Sequence, residues 1–140
     1  MSDFFQNGII TTLHNLSERP LAEIEADLIE FSKQRPIALV LPCLYSELAQ
    51  PALANIVAQL SQAPYISEIV IGLDRASEAE YKHALEYFSV LPQRHHVLWN
   101  DGPRMQAIHE RLLCEGLAPT ELGKGCNVWY CIGYVQALGN

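Results

Sequence analysis

The spacing of apolar positions changes repeatedly along this chain, and each change marks an element. Ile37-Ala38-Leu39-Val40-Leu41 has no polar alternation, which fits a strand buried on both faces of a parallel sheet, and Pro42 predicts its end. Gln50-Pro51 then opens a helical pattern with Leu53, Ile56, Val57 and Leu60 on one face. Ala63-Pro64 breaks the chain, and Ile66 to Asp74 supplies a second strand. Ser77-Glu78-Ala79-Glu80 has capping-box spacing, so a helix starts there, with Tyr81, Ala84, Leu85 and Phe88 as its inward stripe. Pro92 closes that helix, and Arg94-His95-His96-Val97-Leu98-Trp99-Asn100 reads as a third, shorter strand. Asp101-Gly102-Pro103 turns the chain into a helix carrying Met105, Ile108, Leu112 and Leu113, stopped by Gly116. After a loop from Leu117 to Gly125, a last helix begins near Cys126 or Asn127 and runs towards Leu138, with Val128, Cys131, Ile132 and Val135 on one side.

Ahead of the first strand, residues 1 to 19 read as a weakly helical arm whose Phe4, Phe5, Ile9, Ile10 and Leu13 need a surface to dock on. Pro20 starts a clearer helix in which Leu21, Ile24, Leu28 and Phe31 recur at helical spacing, with acidic residues on the other faces. The order is therefore a helix, a strand and helix three times over, and a final helix. Parallel strands joined by right-handed crossovers answer that order, giving an α/β fold with helices on both faces of the sheet. The chain divides into an N-terminal helical arm, 1–34, and an α/β domain, 35–140. In open sheets of this kind ligands sit at the carboxyl ends of the strands, which directs attention to Pro42 to Glu47 and to Asp74 to Ser77.

Composition narrows the function classes. The 140 residues carry a formal charge of -7, which argues against broad binding to nucleic acid or to an anionic membrane, both of which need a concentrated basic surface. No apolar run approaches the roughly 20 residues that span a bilayer, and the N-terminus lacks the order of a signal peptide, so cytoplasmic residence is expected. Cys43, Cys114, Cys126 and Cys131 form no CxxC pair and suit reduced thiols. His95 and His96 are strand neighbours that point to opposite faces, and no paired-histidine metal motif or Ser-His-Asp spacing occurs. Gly123-Lys124-Gly125 has the chemistry of an anion loop: backbone that can approach a ligand, a positive charge, and a helix N-terminus behind it. It lacks the remaining residues of a Walker loop.

Leu39-Val40-Leu41-Pro42-Cys43-Leu44 followed by Glu47, then Val70 to Ser77, then Gly123-Lys124-Gly125 before a helix with Trp129, resembles the nucleotide-binding half of GT-A glycosyltransferases, of the glucosyl-3-phosphoglycerate and mannosylglycerate synthase type. The resemblance covers residues 35 to 138, and Asp3 to His14 is similar to the N-terminal arm of such proteins. It implies a three-layer, Rossmann-like half of the GT-A nucleotide-diphospho-sugar transferase fold. It also implies a retaining transfer from a sugar nucleotide, UDP-glucose or a GDP-sugar, to a small polar acceptor such as 3-phosphoglycerate.

Carried over residue by residue, the resemblance places Pro42 and Leu44 at the base site, with Cys43 between them also among the nucleotide-binding residues. Ser46 or Glu47 falls at the ribose, because Ser46 stands where the family has its first glutamate and Glu47 matches the second. Asp74 and Ser77 fall at the base and ribose edge, and Gly123, Lys124 and Gly125 at the diphosphate. The full-length enzymes of this type take Mg2+ or Mn2+ at an Asp-x-Asp motif, which occurs nowhere in these residues; the strand bearing it would follow Asn140, so no metal site is expected within the chain. Without that strand, Ile37 to Leu41 is expected to be an open apolar edge that favours a homodimer. A second reading is a non-catalytic nucleotide-binding or interaction module.

Overall fold

The computed structural model describes residues 19–121 and 123–139. The expected N-terminal arm, with Phe4, Phe5, Ile9, Ile10 and Leu13, lies outside the described residues. The elements in order are α1 (Leu21–Gln34), β1 (Ile37–Leu44), a 3-10 helix (Tyr45–Ala49), α2 (Pro51–Leu60), β2 (Ile66–Asp74), α3 (Glu78–Phe88), β3 (Arg94–Trp99), α4 (Pro103–Cys114) and α5 (Lys124–Ala137). The strands form one parallel sheet in the order β1-β2-β3, with helices packed on both of its faces. This is the expected Rossmann-like α/β arrangement.

Strand alternation sends side chains to two faces, and helices cover each. Leu39, Leu41 and Cys43 of β1, Ile69, Ile71 and Leu73 of β2, and Val97 and Trp99 of β3 meet Leu53 and Val57 of α2 and Ala84 and Phe88 of α3. Ile69, Ile71, Leu73 and Phe88 are fully buried there. On the other face Val40, Val70 and Leu98 meet Cys131, Tyr134 and Val135 of α5. The central strand β2 is the buried one, paired on both sides.

Four expectations are corrected. β1 does not stop at Pro42 but runs on to Leu44, with Pro42 opposite Gly72. It is an edge strand among the described residues, so one side of it carries no ladder and a proline need not break one. For the same reason Ile37 to Leu41 are half-buried, not buried on both faces. The stripe Leu21, Ile24, Leu28 and Phe31 on α1 has the right period, yet no residue of α1 is buried, and Leu21 is 70% and Phe31 52% exposed. The last helix begins at Lys124, and its inward face is Cys126, Asn127 and Cys131, whereas Ile132 points outward.

Candidate functional site

The carboxyl ends of β1 and β2 and the start of α5 converge on a cavity of about 250 Å³. Its walls include Pro42, Cys43, Leu44 and Glu47 from the first strand end, Asp74 and Arg75 from the second, and Gly123, Lys124 and Asn127 from the third segment. Three stretches far apart in sequence are brought to one place by the parallel topology. A neighbouring cavity of about 410 Å³ shares Asp74, Arg75, Gly123 and Asn127 and extends to Asp101, His109 and Tyr130.

Local chemistry fixes each wall. The Glu47 carboxylate accepts from the backbone N–H of Leu44 at 2.7 Å, capping the 3-10 helix and holding the acid beside the strand end. Asp74 is gripped from two sides: Asn100 Nδ2 donates to its Oδ1 at 2.7 Å and Asn127 Nδ2 to its Oδ2 at 2.9 Å. Beyond it the backbone turns through Arg75 at φ 56°, a left-handed conformation unusual for a side-chain-bearing residue. That turn is clamped at Ala76, whose N–H donates to Asp101 Oδ2 at 3.0 Å and whose carbonyl accepts from Trp99 Nε1 at 2.7 Å. Trp99 in turn stacks on Tyr81, with ring centroids 5.0 Å apart. Gly123 precedes α5 at φ 153° and ψ -165°, a region open essentially to glycine alone, so the loop reaches Lys124 by a path other residues would resist.

Lys124 and Arg75 make no ion pair among the described residues, which leaves two cations facing the two carboxylates. Burial pushes the Cys43 thiol up to about 12, with the charges of Glu47 and Asp74 adding to it, so this cysteine is a neutral wall and not a nucleophile. Burial likewise raises Cys131 to about 12 and raises Cys126, each with a smaller push from Asp74. Tyr130, hydrogen-bonded to His109 Nδ1, is raised by burial and by Cys126.

Of the residues singled out from the sequence, Pro42, Cys43, Leu44, Glu47, Asp74, Gly123 and Lys124 share one cavity wall, whereas Ser46, Ser77 and Gly125 do not. Ser46 is exposed. Ser77 is the N-cap of α3: its Oγ accepts from Glu80 N at 3.4 Å and its N–H donates to Glu80 Oε2 at 2.7 Å. The two histidines diverge as strand neighbours should, His95 to the Gln93 carbonyl and His96 to Glu68 and Tyr134. Sequence reasoning missed Asn100, Asp101 and Asn127. For Asn127 a signal existed, an amide four residues before Cys131 on the face that packs inward.

Fit for a divalent cation is poor. Both oxygens of Asp74 accept from amides, Glu47 caps a backbone N–H, and among the described residues no three His, Cys, Asp or Glu side chains gather to hold a metal ion. Among the described residues no helix is long and apolar enough to cross a membrane.

Two curated proteins share this sequence pattern. A protein named glucosyl-3-phosphoglycerate synthase from Persephonella marina is 44% identical over 135 residues, which is 96% of this chain and 34% of that protein. Another of the same name from Methanococcoides burtonii is 36% identical over 135 residues, 94% of this chain and 32% of that protein. The chain thus spans about a third of the length of the curated relatives it matches. No family model matches the chain, and no solved structure matches it significantly. Over that third of their length, this chain is similar to the two proteins named glucosyl-3-phosphoglycerate synthase, the type its strand ends and Gly-Lys-Gly loop resemble.

Proposed function

We propose that this chain holds the nucleotide of a sugar-nucleotide donor, UDP-glucose or a GDP-sugar, for a retaining transfer of the sugar to a small acceptor such as 3-phosphoglycerate. The observation that carries the reading is the single cavity in which Glu47, Asp74 and Lys124 meet from three separate elements. The name of the two relatives supports the reaction class and the acceptor.

Each residue has a role that follows from its chemistry. A carboxylate can accept from two vicinal hydroxyls at once, which suits Glu47 to the ribose. Asp74, with both oxygens already fixed by amides, offers its remaining lone pairs in a set direction to the nucleoside. Lys124 supplies a point charge for the diphosphate, reinforced by the N-terminal turn of α5. Pro42, Cys43 and Leu44 give the base an apolar rest. Mg2+ or Mn2+, expected for the full-length relatives, would neutralise charge on the leaving diphosphate. These residues offer it no ligand set.

Calorimetric titration of UDP, GDP and their glucose conjugates, with and without Mn2+, tests the reading. Nucleoside diphosphate binding without turnover is the expected result. No binding by any of the four would overturn it. A non-catalytic nucleotide-binding or interaction module is the second reading, favoured by the absence of three gathered metal ligands among the described residues. Sequencing the reading frame past Asn140 separates the two: a following strand with Asp-x-Asp upholds the transferase reading, and a stop there favours the module. β1 is an edge strand among the described residues, which supports self-association that light scattering across a dilution series would detect, and cytoplasmic residence fits both readings.

A further inference from the structure

Asn127 is 3% exposed in the first turns of α5, and every hydrogen-bonding group of its amide is used. Nδ2 donates to the Gly72 carbonyl at 2.8 Å and to Asp74 Oδ2 at 2.9 Å, and Oδ1 accepts from Cys131 Sγ at 3.4 Å. A fully satisfied buried amide has one orientation, because any rotation leaves a donor unpaired in a low-dielectric site. Its seat exists because residue 72 is glycine: a Cβ there would lie 1.7 Å from Asn127 Oδ1. The backbone N–H of Asn127 meanwhile donates to the Gly123 carbonyl at 3.0 Å, closing the turn that carries Lys124.

That turn has few other restraints. Gly123 and Gly125 flank Lys124, Gly123 provides no side-chain cap, and apart from the buried Cys126 the apolar packing of α5 on the sheet is made further along, at Cys131, Tyr134 and Val135. We propose that Asn127 is a positioning residue: its amide sets the register of the first turn of α5 against the end of β2, and with it the spacing between Lys124 and Asp74 across the cavity. The part of this that concerns ligand rests on the nucleotide reading above; the part that concerns register does not.

The test has two readouts. In the ligand-free chain, Asn127→Ala is expected to speed amide hydrogen exchange at residues 127 and 128, the first amides bonded within the turn, about tenfold, the equilibrium worth of one or two hydrogen bonds, while residues 131–135 change by less than about twofold. In calorimetry the ratio of UDP to uridine affinity is expected to fall by about fivefold, and Lys124→Ala is expected to cost less in the Asn127→Ala background than in the native chain. Asn127→Ser, smaller and still polar, is read the same way should the alanine variant fail to fold. Faster exchange along the whole helix, or no change anywhere, would overturn the proposal, since Asn127 would then be packing only. Local loosening with an unchanged UDP to uridine ratio and additive losses would overturn the link to Lys124. Local loosening in a chain that binds neither ligand would uphold the register claim and sink the nucleotide reading instead.

Discussion

Gly72→Ala tests the packing that the site depends on. The added Cβ would stand 1.7 Å from Asn127 Oδ1, 2.7 Å from its Cγ and 2.6 Å from Cys131 Sγ, against ordinary contacts of about 3.5 Å or more. Relief requires the amide to swing out or α5 to lift. The first route gives up the bonds to the Gly72 carbonyl and Asp74, at about 1–3 kcal/mol for buried groups left unpaired. The second is overpacking, which costs about 1–3 kcal/mol. Replacing glycine in a strand returns about 0.5–1 kcal/mol through the unfolded chain. By either route the net loss is about 0–2.5 kcal/mol, at its upper end a large share of a total near 5–15 kcal/mol. Urea unfolding followed by circular dichroism would show it as a midpoint lower by up to about 1–2 M with an unchanged slope. The double variant Gly72→Ala, Asn127→Ala should be less unstable than the sum of the two losses, because the first clash is gone. A Gly72→Ala protein more stable than the native chain by about 0.5–1 kcal/mol, the gain expected where no clash exists, would refute the close approach of α5 to β2.

Other outcomes follow from the same geometry. Lys124→Ala should weaken UDP binding by about tenfold or more and leave uridine nearly unaffected; equal losses in calorimetry would mean general disturbance of the loop. Glu47→Ala should reduce the preference for UDP over its 2′-deoxy counterpart and Ser46→Ala should not, because Glu47 lines the cavity and Ser46 does not. Iodoacetamide at pH 8, read by mass spectrometry, should label exposed Cys114 first and spare Cys43 and Cys131, whose thiols burial holds near 12. Ser77→Ala should lower the melting temperature by a few degrees. The bonds from Ser77 hold the Glu80 carboxyl below its usual range, so the stability they contribute is present above that range and fades as the pH falls through it. The gap between native and Ser77→Ala melting temperatures should therefore narrow in acid.

The order of elements was legible because each is bounded by a local cause. Pro51 and Pro103 open α2 and α4 at the positions where a proline loses no bond, and Ser77 with Glu80 makes the capping box whose spacing the sequence displays. The extent of β1 was not legible. Whether Pro42 ends a strand depends on whether a neighbour needs its N–H, and that is a property of strand order, which no window of sequence contains. The α1 stripe fails for a related reason: period tells which face is apolar and not what covers it. The cavity was half legible. Strand ends and glycine loops announce themselves, whereas Asn100, Asp101 and Asn127 act by bonds spanning 25 to 55 residues.

The two faces of the sheet hold their helices by different means, and this bears on why the site lies beneath α5. α2 and α3 are packed by a large apolar cluster, which is tolerant of small slides because contact area is not directional. α5 has a small one, Val70, Leu98 and Cys131 with a few neighbours, and adds polar bonds at both ends of the contact. Towards its N-terminus Asn127 reaches Gly72 and Asp74. Seven residues on, two turns of helix further, Tyr134 OH lies 3.1 Å from His96 Nδ1, and His96 Nε2 lies 2.8 Å from the fully buried Glu68, which also pairs with Arg94 at 2.9 Å. Such bonds tolerate errors of tenths of an ångström, not of a residue. A helix fastened this way has one register on the sheet. That register is what puts Lys124, the first residue of α5, on the same cavity wall as Asp74 at the end of β2.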